Sequence, residues 1–112
     1  MERMTISKAI EILDELVQAL TDAYWDANEV YHKDTLFDAV TTAHYERSEL
    51  SKLGIDDISM RYEPVTAQFL SCHAKFKRLQ SHTDDWFPRT QTAENLHNAL
   101  ANVLNLLNNK TM

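Results

Sequence analysis

The sequence predicts an all-α protein, an antiparallel up-down-up-down four-helix bundle whose third helix is preceded by a short turn or kink at Pro64. Three observations support this prediction. Apolar residues recur at helical spacing, the 112 residues include one glycine and two prolines, and β-branched residues are sparse outside the apolar stripes. A chain of this length is predicted to form one domain, residues 1–112, around a single core.

The first predicted helix begins at Ile6 and ends at Tyr31. Its apolar residues alternate in steps of four and three: Ile6, Ile10, Leu13, Val17, Leu20, Tyr24, Ala27 and Tyr31. A further apolar column widens this face: Ala9, Leu16, Ala23 and Val30. A face this wide needs more than one partner helix, as on the inner side of a bundle. Continuing the same register would bury Asp34 and Asp38, so we expect the helix to break within residues 33–35.

The second predicted helix follows this break and ends at Leu53. Its buried positions are expected along a new seam: Leu36, Val40, Ala43, Arg47 and Leu50. Gly54 is the only glycine of the chain and stands where helices often end in a residue with left-handed backbone. In that motif Ile55 would contact Leu50 in the last turn of the helix.

The third helix is predicted over Glu63 to Gln80. Its seam keeps helical phase across Pro64: Ile58, Tyr62, Val65, Phe69, Cys72, Phe76 and Leu79. Proline costs about 3 kcal/mol in a helix interior and little in the first turn, so residues 57–61 are predicted as a separate short turn or a kinked lead-in to the helix. A polar loop over residues 81–88 leads to the fourth helix. Its seam is Ala93, Leu96, Leu100, Val103 and Leu107, and residues 108–112 are expected to fray.

Charge and composition restrict the classes of function. Seventeen acidic and eleven basic residues give a net charge of −6, which would repel a nucleic-acid backbone. The one basic cluster, Lys75, Lys77 and Arg78, is expected at a helix C-terminus, where it complements the helix dipole. No apolar run reaches the roughly 20 residues that span a membrane. We therefore predict a cytoplasmic protein with no nucleic-acid or membrane partner, and the single Cys72 agrees with that compartment.

The sequence lacks the constellations that are typical of enzymes. Two Glu-x-x-His pairs, Glu29 with His32 and Glu94 with His97, have the ligand spacing of ferritin-like di-iron bundles, but their helical register turns them outward. A glycine-rich phosphate loop, a C-x-x-C motif and a serine on a strained elbow are absent from the sequence. We therefore predict no catalytic activity, no cofactor and no metal site.

Three residues are candidates for a structural polar core: Arg47, His44 and His73. The two histidines take equivalent positions on the second and third helices at similar height, so we expect them to approach each other across the groove between these helices. Arg47 falls in an apolar seam, where a charge is costly unless it is paired. Either it extends to solvent while its stem packs, or it pairs with an acidic residue of a neighbouring helix or a partner chain. Cys72 is expected to be a buried, inert thiol.

A contact surface is predicted at the end of the bundle where most aromatic residues gather. Its residues are Trp25, His32, His82, Trp86 and Phe87. The seams require none of the three large aromatic residues among them, and such residues are candidates for partner anchors. The alternative is that Trp25 packs against the fourth helix while Trp86 and Phe87 close the end of the bundle.

Two functions are compatible with these observations. The first is a small protein-interaction module, such as an adaptor, a regulator or an antitoxin-type or immunity-type partner, acting through its surface on another protein or on itself as a homodimer. The second is a small-ligand or metal-binding bundle that uses the histidine- and carboxylate-rich end. The missing catalytic constellation and the acidic composition favour the first.

Overall fold

The computed structural model describes residues 4–54, 57–87 and 90–109. These residues form helices and no strand, so the predicted all-α class is confirmed. The helices are α1 (Ile6–Asp26), α2 (Val30–Leu50), α3 (Ala67–Leu70), α4 (His73–Ser81), α5 (Thr83–Trp86) and α6 (Thr90–Asn109).

The turn after α2 holds the N-terminus of α1. The N–H groups of Ile6 and Ser7 donate to the carbonyl oxygens of Met60 and Ile58, both at 2.9 Å. The first N–H groups of a helix have no acceptor within it. The predicted turn after residue 57 is therefore present, and it satisfies two donors that would otherwise depend on water.

The connection between α1 and α2 lies earlier in the chain than the sequence suggested. Because α1 ends at Asp26 and α2 begins at Val30, the predicted helix to Tyr31 and the break within residues 33–35 are wrong. Extended backbone at Ala27, with φ −72° and ψ 140°, ends α1. The earlier break shifts the register of α2, so the two aspartates that argued for a break are still exposed.

The C-terminus of α2 differs from the predicted glycine motif. The helix ends at Leu50 rather than Leu53, and Gly54 does not have a positive φ. Instead, the Gly54 N–H donates to Asp57 Oδ2 at 3.2 Å, and the Asp57 N–H donates to the Gly54 carbonyl at 3.0 Å. This reciprocal pair closes the turn without a left-handed residue. Ile55, which the motif would place on Leu50, lies outside the described residues.

The predicted third helix, Glu63 to Gln80, is replaced by a non-helical segment and two helices. Residues 62–66 are non-helical, with extended backbone at Thr66; α3 follows, and a turn separates α3 from α4. Proline donates no N–H and drives the preceding residue out of the helical region, so Pro64 belongs to the non-helical segment. Helix α3 begins after Thr66, whose hydroxyl accepts from the Phe69 N–H at 3.2 Å. The predicted loop over residues 81–88 contains α5.

Helix α1 lies at the centre of the packing, with α2 on one side and α6 on the other. Arg47 bonds to Asp14 and Lys33 bonds to the Tyr24 carbonyl, so α1 and α2 run antiparallel. Helix α6 also packs on α4 and α5, whereas α2 and α4 approach each other less closely. The largest fully buried side chains are Tyr62, Phe69, Phe76, Leu13, Leu16, Leu20, Leu36, Leu50, Leu96, Leu100, Leu106 and Glu46. Within the described ranges, no helix has the length and apolar character needed to cross a membrane.

Candidate functional site

Three of the predicted surface residues form an aromatic stack. The rings of His32 and Trp86 are nearly parallel, with centroids 4.0 Å apart and an interplanar angle of 12°. The ring of His82 is also nearly parallel to that of Trp86, at 5.6 Å and 8°. Tyr31 adds an edge contact with Trp86 at 6.3 Å. We call these four residues the Trp86 cluster. It joins the start of α2 to the end of α4 and to α5.

Each histidine of the Trp86 cluster has a carboxylate one turn away. His32 Nε2 lies 3.7 Å from Glu29 Oε2, and His82 Nδ1 lies 3.5 Å from Asp85 Oδ2. The side chain of His32 is 16 % exposed, so the stack with Trp86 covers most of it. The predicted outward register of the Glu29–His32 pair therefore holds for the glutamate, which is exposed, and not for the histidine ring.

The other two predicted surface residues lie elsewhere. Phe87 is 4 % exposed and contributes to the core, because the chain turns inward after α5. This matches the alternative in which Phe87 closes the end of the bundle. Trp25 is 75 % exposed, so it does not pack against the fourth helix. It belongs to a second exposed group of rings at the connection between α1 and α2.

That second group is built around Tyr24. The ring of Trp25 meets it edge-on at 5.2 Å, and the ring of Phe37 lies 6.4 Å away. Lys33 Nζ lies 4.6 Å from the Tyr24 centroid and donates to the Tyr24 carbonyl, which stabilises the C-terminus of α1. Val30 precedes Lys33 by one turn on the same face of α2. We call these five residues the hairpin patch.

The space between α2 and α4 forms a groove with a volume of about 600 Å³. Its lining residues are Tyr31, Asp34, Thr35, Asp38, Ala74, Lys75, Arg78, Leu79 and Trp86. The acidic side chains come from α2 and the basic ones from α4. The groove therefore has walls of opposite charge, and the Trp86 cluster contributes two rings to its lining.

Two polar contacts cross this groove. Lys75 pairs with Asp38, and Arg78 Nη2 donates to the Tyr31 hydroxyl at 3.2 Å. Asp34 lies one turn after Tyr31 on the same side of α2. In the described part of the chain, Asp34 makes no ion pair or hydrogen bond through its carboxylate, and Arg78 makes no ion pair. The groove thus holds one carboxylate and one guanidinium that are not paired with each other.

Sequence reasoning missed the most deeply buried charged residue of the described chain, Glu46. It is 0 % exposed and accepts hydrogen bonds from the Tyr62 hydroxyl at 2.6 Å and the Val65 N–H at 2.9 Å. Its other oxygen accepts from the Thr66 N–H at 2.9 Å and the Thr66 hydroxyl at 2.8 Å. The carboxylate therefore replaces the backbone acceptors that a helix would have supplied to residues 62–66. Burial and the hydrogen bond to Glu46 raise the pKa of Tyr62.

A signal for Glu46 was present in the sequence. Buried residues of α2 include Leu36, Ala39, Ala43 and Leu50, and Glu46 completes their alternating steps of three and four. The predicted seam used Val40 and Arg47 instead, which are only partly buried. The acidic residue at one step of this buried series marks a buried carboxylate, and its hydrogen-bond donors come from residues 62–66, outside α2.

Arg47 pairs at the surface with an acidic residue of a neighbouring helix. Its Nε lies 2.6 Å from Asp14 Oδ1, and both side chains are partly exposed. The hydrogen bond and the charge of Asp14 raise the pKa of Arg47. The guanidinium of Arg47 both pairs with an acidic residue and reaches the surface. Each of the two predicted alternatives therefore describes part of the arrangement. An exposed pair of this kind is worth under about 1 kcal/mol.

The two core histidine candidates do not share a groove as expected. His44 is exposed and lines the space between α1 and α2, with Asp14 and Arg47. Glu46 lies two residues further on and faces the segment at residues 62–66, and residues two apart on a helix point about 200° apart. His44 therefore points away from the part of the chain that carries His73, contrary to the predicted register.

Metal binding and thiol reactivity depend on the geometry and burial of the side chains. No group of three or more His, Cys, Asp and Glu side chains within them is arranged to hold a metal ion. Cys72 is buried, as predicted, and burial raises the pKa of its thiol. A raised pKa lowers the thiolate fraction, which is the reactive form.

No protein family, curated protein or solved structure matches this chain. The candidate functional features of the described chain are the hairpin patch, the Trp86 cluster and the groove between α2 and α4.

Proposed function

We propose that this protein is a protein-interaction module that binds its partner through the hairpin patch. The observation that carries the proposal is the exposure of its large apolar side chains: Trp25 is 75 % exposed, Val30 is 74 % exposed and Phe37 is 62 % exposed. Contiguous exposed apolar groups on soluble proteins mark interaction surfaces, and buried tryptophans are the most frequent anchors of interfaces.

The rings of the patch are positioned by helical backbone and by contacts with one another. Trp25 lies in the last turn of α1, where its ring contacts Tyr24 edge-on and Lys33 lies 5.8 Å from its centroid. Phe37 is held in the second turn of α2. Rigid rings lose little conformational entropy on binding, so more of the buried apolar area contributes to affinity.

The first partner to test is a second copy of this chain. A two-fold axis places the same patch on both subunits, so a single exposed patch is sufficient to build an isologous dimer. The adaptor, regulator and antitoxin-type or immunity-type roles stay alternatives for a partner of different sequence. Such a partner would cover the same rings.

Two finer predictions belong to this proposal. The chain would act as an up-down-up-down four-helix unit in which α3 and α4 together occupy the third position. The contacts of Asp38 with Lys75 and of Tyr31 with Arg78 support this, since they make α4 antiparallel to α2. Cytoplasmic localisation is proposed on the basis of the single cysteine.

Sedimentation velocity over a series of protein concentrations tests the proposal. We expect the wild type to self-associate and the double variant Trp25→Ser, Phe37→Ser to raise the dissociation constant by about tenfold or more, as for hot-spot anchors. The matched control is Met60→Ser, Leu70→Ser, which removes two exposed apolar side chains elsewhere on the molecule. It should leave association unchanged.

Three results would count against the proposal. A wild type that stays monomeric at the highest concentration contradicts self-association through the patch. Equal loss of association in the patch variant and the control shows that the contact is not specific to the patch. A patch variant whose urea midpoint falls strongly shows that these rings stabilise the fold instead.

A further inference from the structure

We propose that the groove between α2 and α4 binds a zwitterionic aromatic small molecule of the size and chemistry of an aromatic amino acid. The inference does not depend on the hairpin patch, because none of the patch residues lines the groove. Its starting point is the groove volume of about 600 Å³, which falls within the range of small-molecule sites.

The charged walls define the ligand's polar end. Arg78 donates to a neutral phenol, so its guanidinium can bind a carboxylate with the paired geometry that arginine favours. On the opposite wall, Asp34 can accept from an ammonium group. A molecule with a carboxylate and an ammonium on the same carbon supplies both groups.

Arg78 and Asp34 both lie near Tyr31, although they come from opposite walls of the groove. Its guanidinium lies at the Tyr31 hydroxyl, and Asp34 is one turn along the same helix. The neighbouring pair of Lys75 with Asp38 satisfies the other two charges of the groove. That pair bounds the charged part of the site, so the free carboxylate and guanidinium lie between it and the Trp86 cluster.

The apolar lining defines the other end of the ligand. Tyr31 and Trp86 stand nearly perpendicular, with an interplanar angle of 69°, and both line the groove. Leu79 is buried and adds an aliphatic surface. His32 holds Trp86 in place by stacking at 4.0 Å. A planar ring can therefore pack against Tyr31 and Trp86 while its polar end reaches Arg78 and Asp34.

Fluorescence titration with L-phenylalanine tests this site. The chain has two tryptophans, so a Trp25→Phe variant leaves Trp86 as the only indole and removes the signal of the hairpin patch. We expect a saturable change in Trp86 emission. Phenethylamine lacks the carboxylate and 3-phenylpropanoate lacks the amine. Each should bind about tenfold more weakly, the loss expected for one charge-assisted hydrogen bond.

Charge variants assign the two ends of the ligand. Arg78→Gln should weaken L-phenylalanine and 3-phenylpropanoate without affecting phenethylamine, and Asp34→Asn should weaken L-phenylalanine and phenethylamine only. The matched controls are Lys77→Gln and Glu11→Gln, which remove exposed charges outside the groove. Unfolding midpoints equal to that of the parent establish that the variants are folded.

The proposal is overturned if Trp86 emission stays unchanged up to the solubility limit of L-phenylalanine. It is also overturned if the three ligands bind equally, which would indicate a nonspecific apolar surface. Equal weakening by the control variants would show that net charge, rather than the groove, controls binding. Because all these variants lack Trp25, the results are separate from the test of self-association.

Discussion

Among single residues, Glu46 has the largest role in holding the non-helical segment at residues 62–66 against α2. Its two oxygens accept four hydrogen bonds from Tyr62, Val65 and Thr66. Burying a carboxylate is expensive unless donors surround it, and here backbone and hydroxyl donors fill both oxygens. The polar groups of the non-helical segment at residues 62–66 and the buried carboxylate therefore satisfy each other's hydrogen bonds.

Substitution Glu46→Gln should destabilise the fold by about 2 kcal/mol or more, because an amide NH₂ would face N–H and O–H donors and leave one of them unpaired. Urea unfolding monitored by circular dichroism measures the loss. Glu49→Gln is the matched control, since Glu49 lies one turn further along α2 and pairs only with exposed Lys52. Equal losses in the two variants would contradict the role given to Glu46.

The raised pKa of Tyr62 predicts how the stability of the fold changes with pH. Burial and the bond to Glu46 raise its pKa in the folded state, whereas a tyrosine in the unfolded chain ionises near pH 10. Below about pH 10 both states hold the proton and the stabilisation is fully present. Above about pH 10 the unfolded chain loses the tyrosine proton first, so the stability of the fold decreases as pH rises.

Urea midpoints of the wild type should therefore decline more steeply than those of Tyr62→Phe between about pH 9 and 11. Parallel declines would contradict this account.

At the scale of the element, the amphipathic pattern predicted which segments are helical better than where they end. The spacing of apolar residues is local information, and it identified α1, α2 and α6. The breaks depend on donors and acceptors from distant parts of the chain, such as Glu46 beside residues 62–66. Seam residues Phe69, Phe76 and Leu79 are buried as predicted although their helix is interrupted. Val65 of the same seam is 51 % exposed, so burial followed the pattern within α3 and α4 but not throughout the non-helical segment before them.

The stack of Trp86 with His32 and His82 gives α5 its attachment to α2. Trp86→Ala should destabilise the protein by about 1–3 kcal/mol, since it removes a partly buried ring and its stacking contacts. Trp25→Ala is the matched control, because Trp25 is 75 % exposed and its loss should change stability by under about 0.5 kcal/mol. Near-ultraviolet circular dichroism and urea midpoints compare the two. A larger loss for Trp25 would reverse the roles assigned to these rings.

The aromatic residues and the groove were predicted from the sequence only in part. Exclusion from the apolar seams identified Trp25, which is 75 % exposed, but Trp86 packs partly against the core and Phe87 is buried in it. The pattern also could not show that Trp25 and Trp86 lie in different groups. Trp25 contacts the ring of Tyr24, which in turn contacts Phe37. A groove between the second and third predicted helices was expected, but its lining residues were not, because they depend on how α4 is placed against α2.

At the scale of the whole molecule, the described chain divides into well-packed and sparsely attached parts. Helix α1 packs along both α2 and α6 and contributes many of the fully buried side chains. The segment at residues 62–87 packs on α6, but it reaches α2 chiefly through Glu46, the Lys75–Asp38 pair and the Trp86 cluster. The open groove lies between these attachments. Local opening should therefore begin in this segment, which has few buried contacts with α2.

Native-state hydrogen exchange can detect this order of opening. Amides of α3, α4 and α5 should exchange through a partial opening, before those of α1 and α6, which are expected to exchange only on global unfolding. In Glu46→Gln, amides of residues 65–72 should exchange faster relative to α1 than they do in the wild type, because the anchor of that segment is lost. Glu49→Gln should leave the relative rates unchanged. If every protected amide instead exchanges at the rate of global unfolding in both variants, the segment and the α1, α2 and α6 core form a single cooperative unit, and the groove has no independently opening wall.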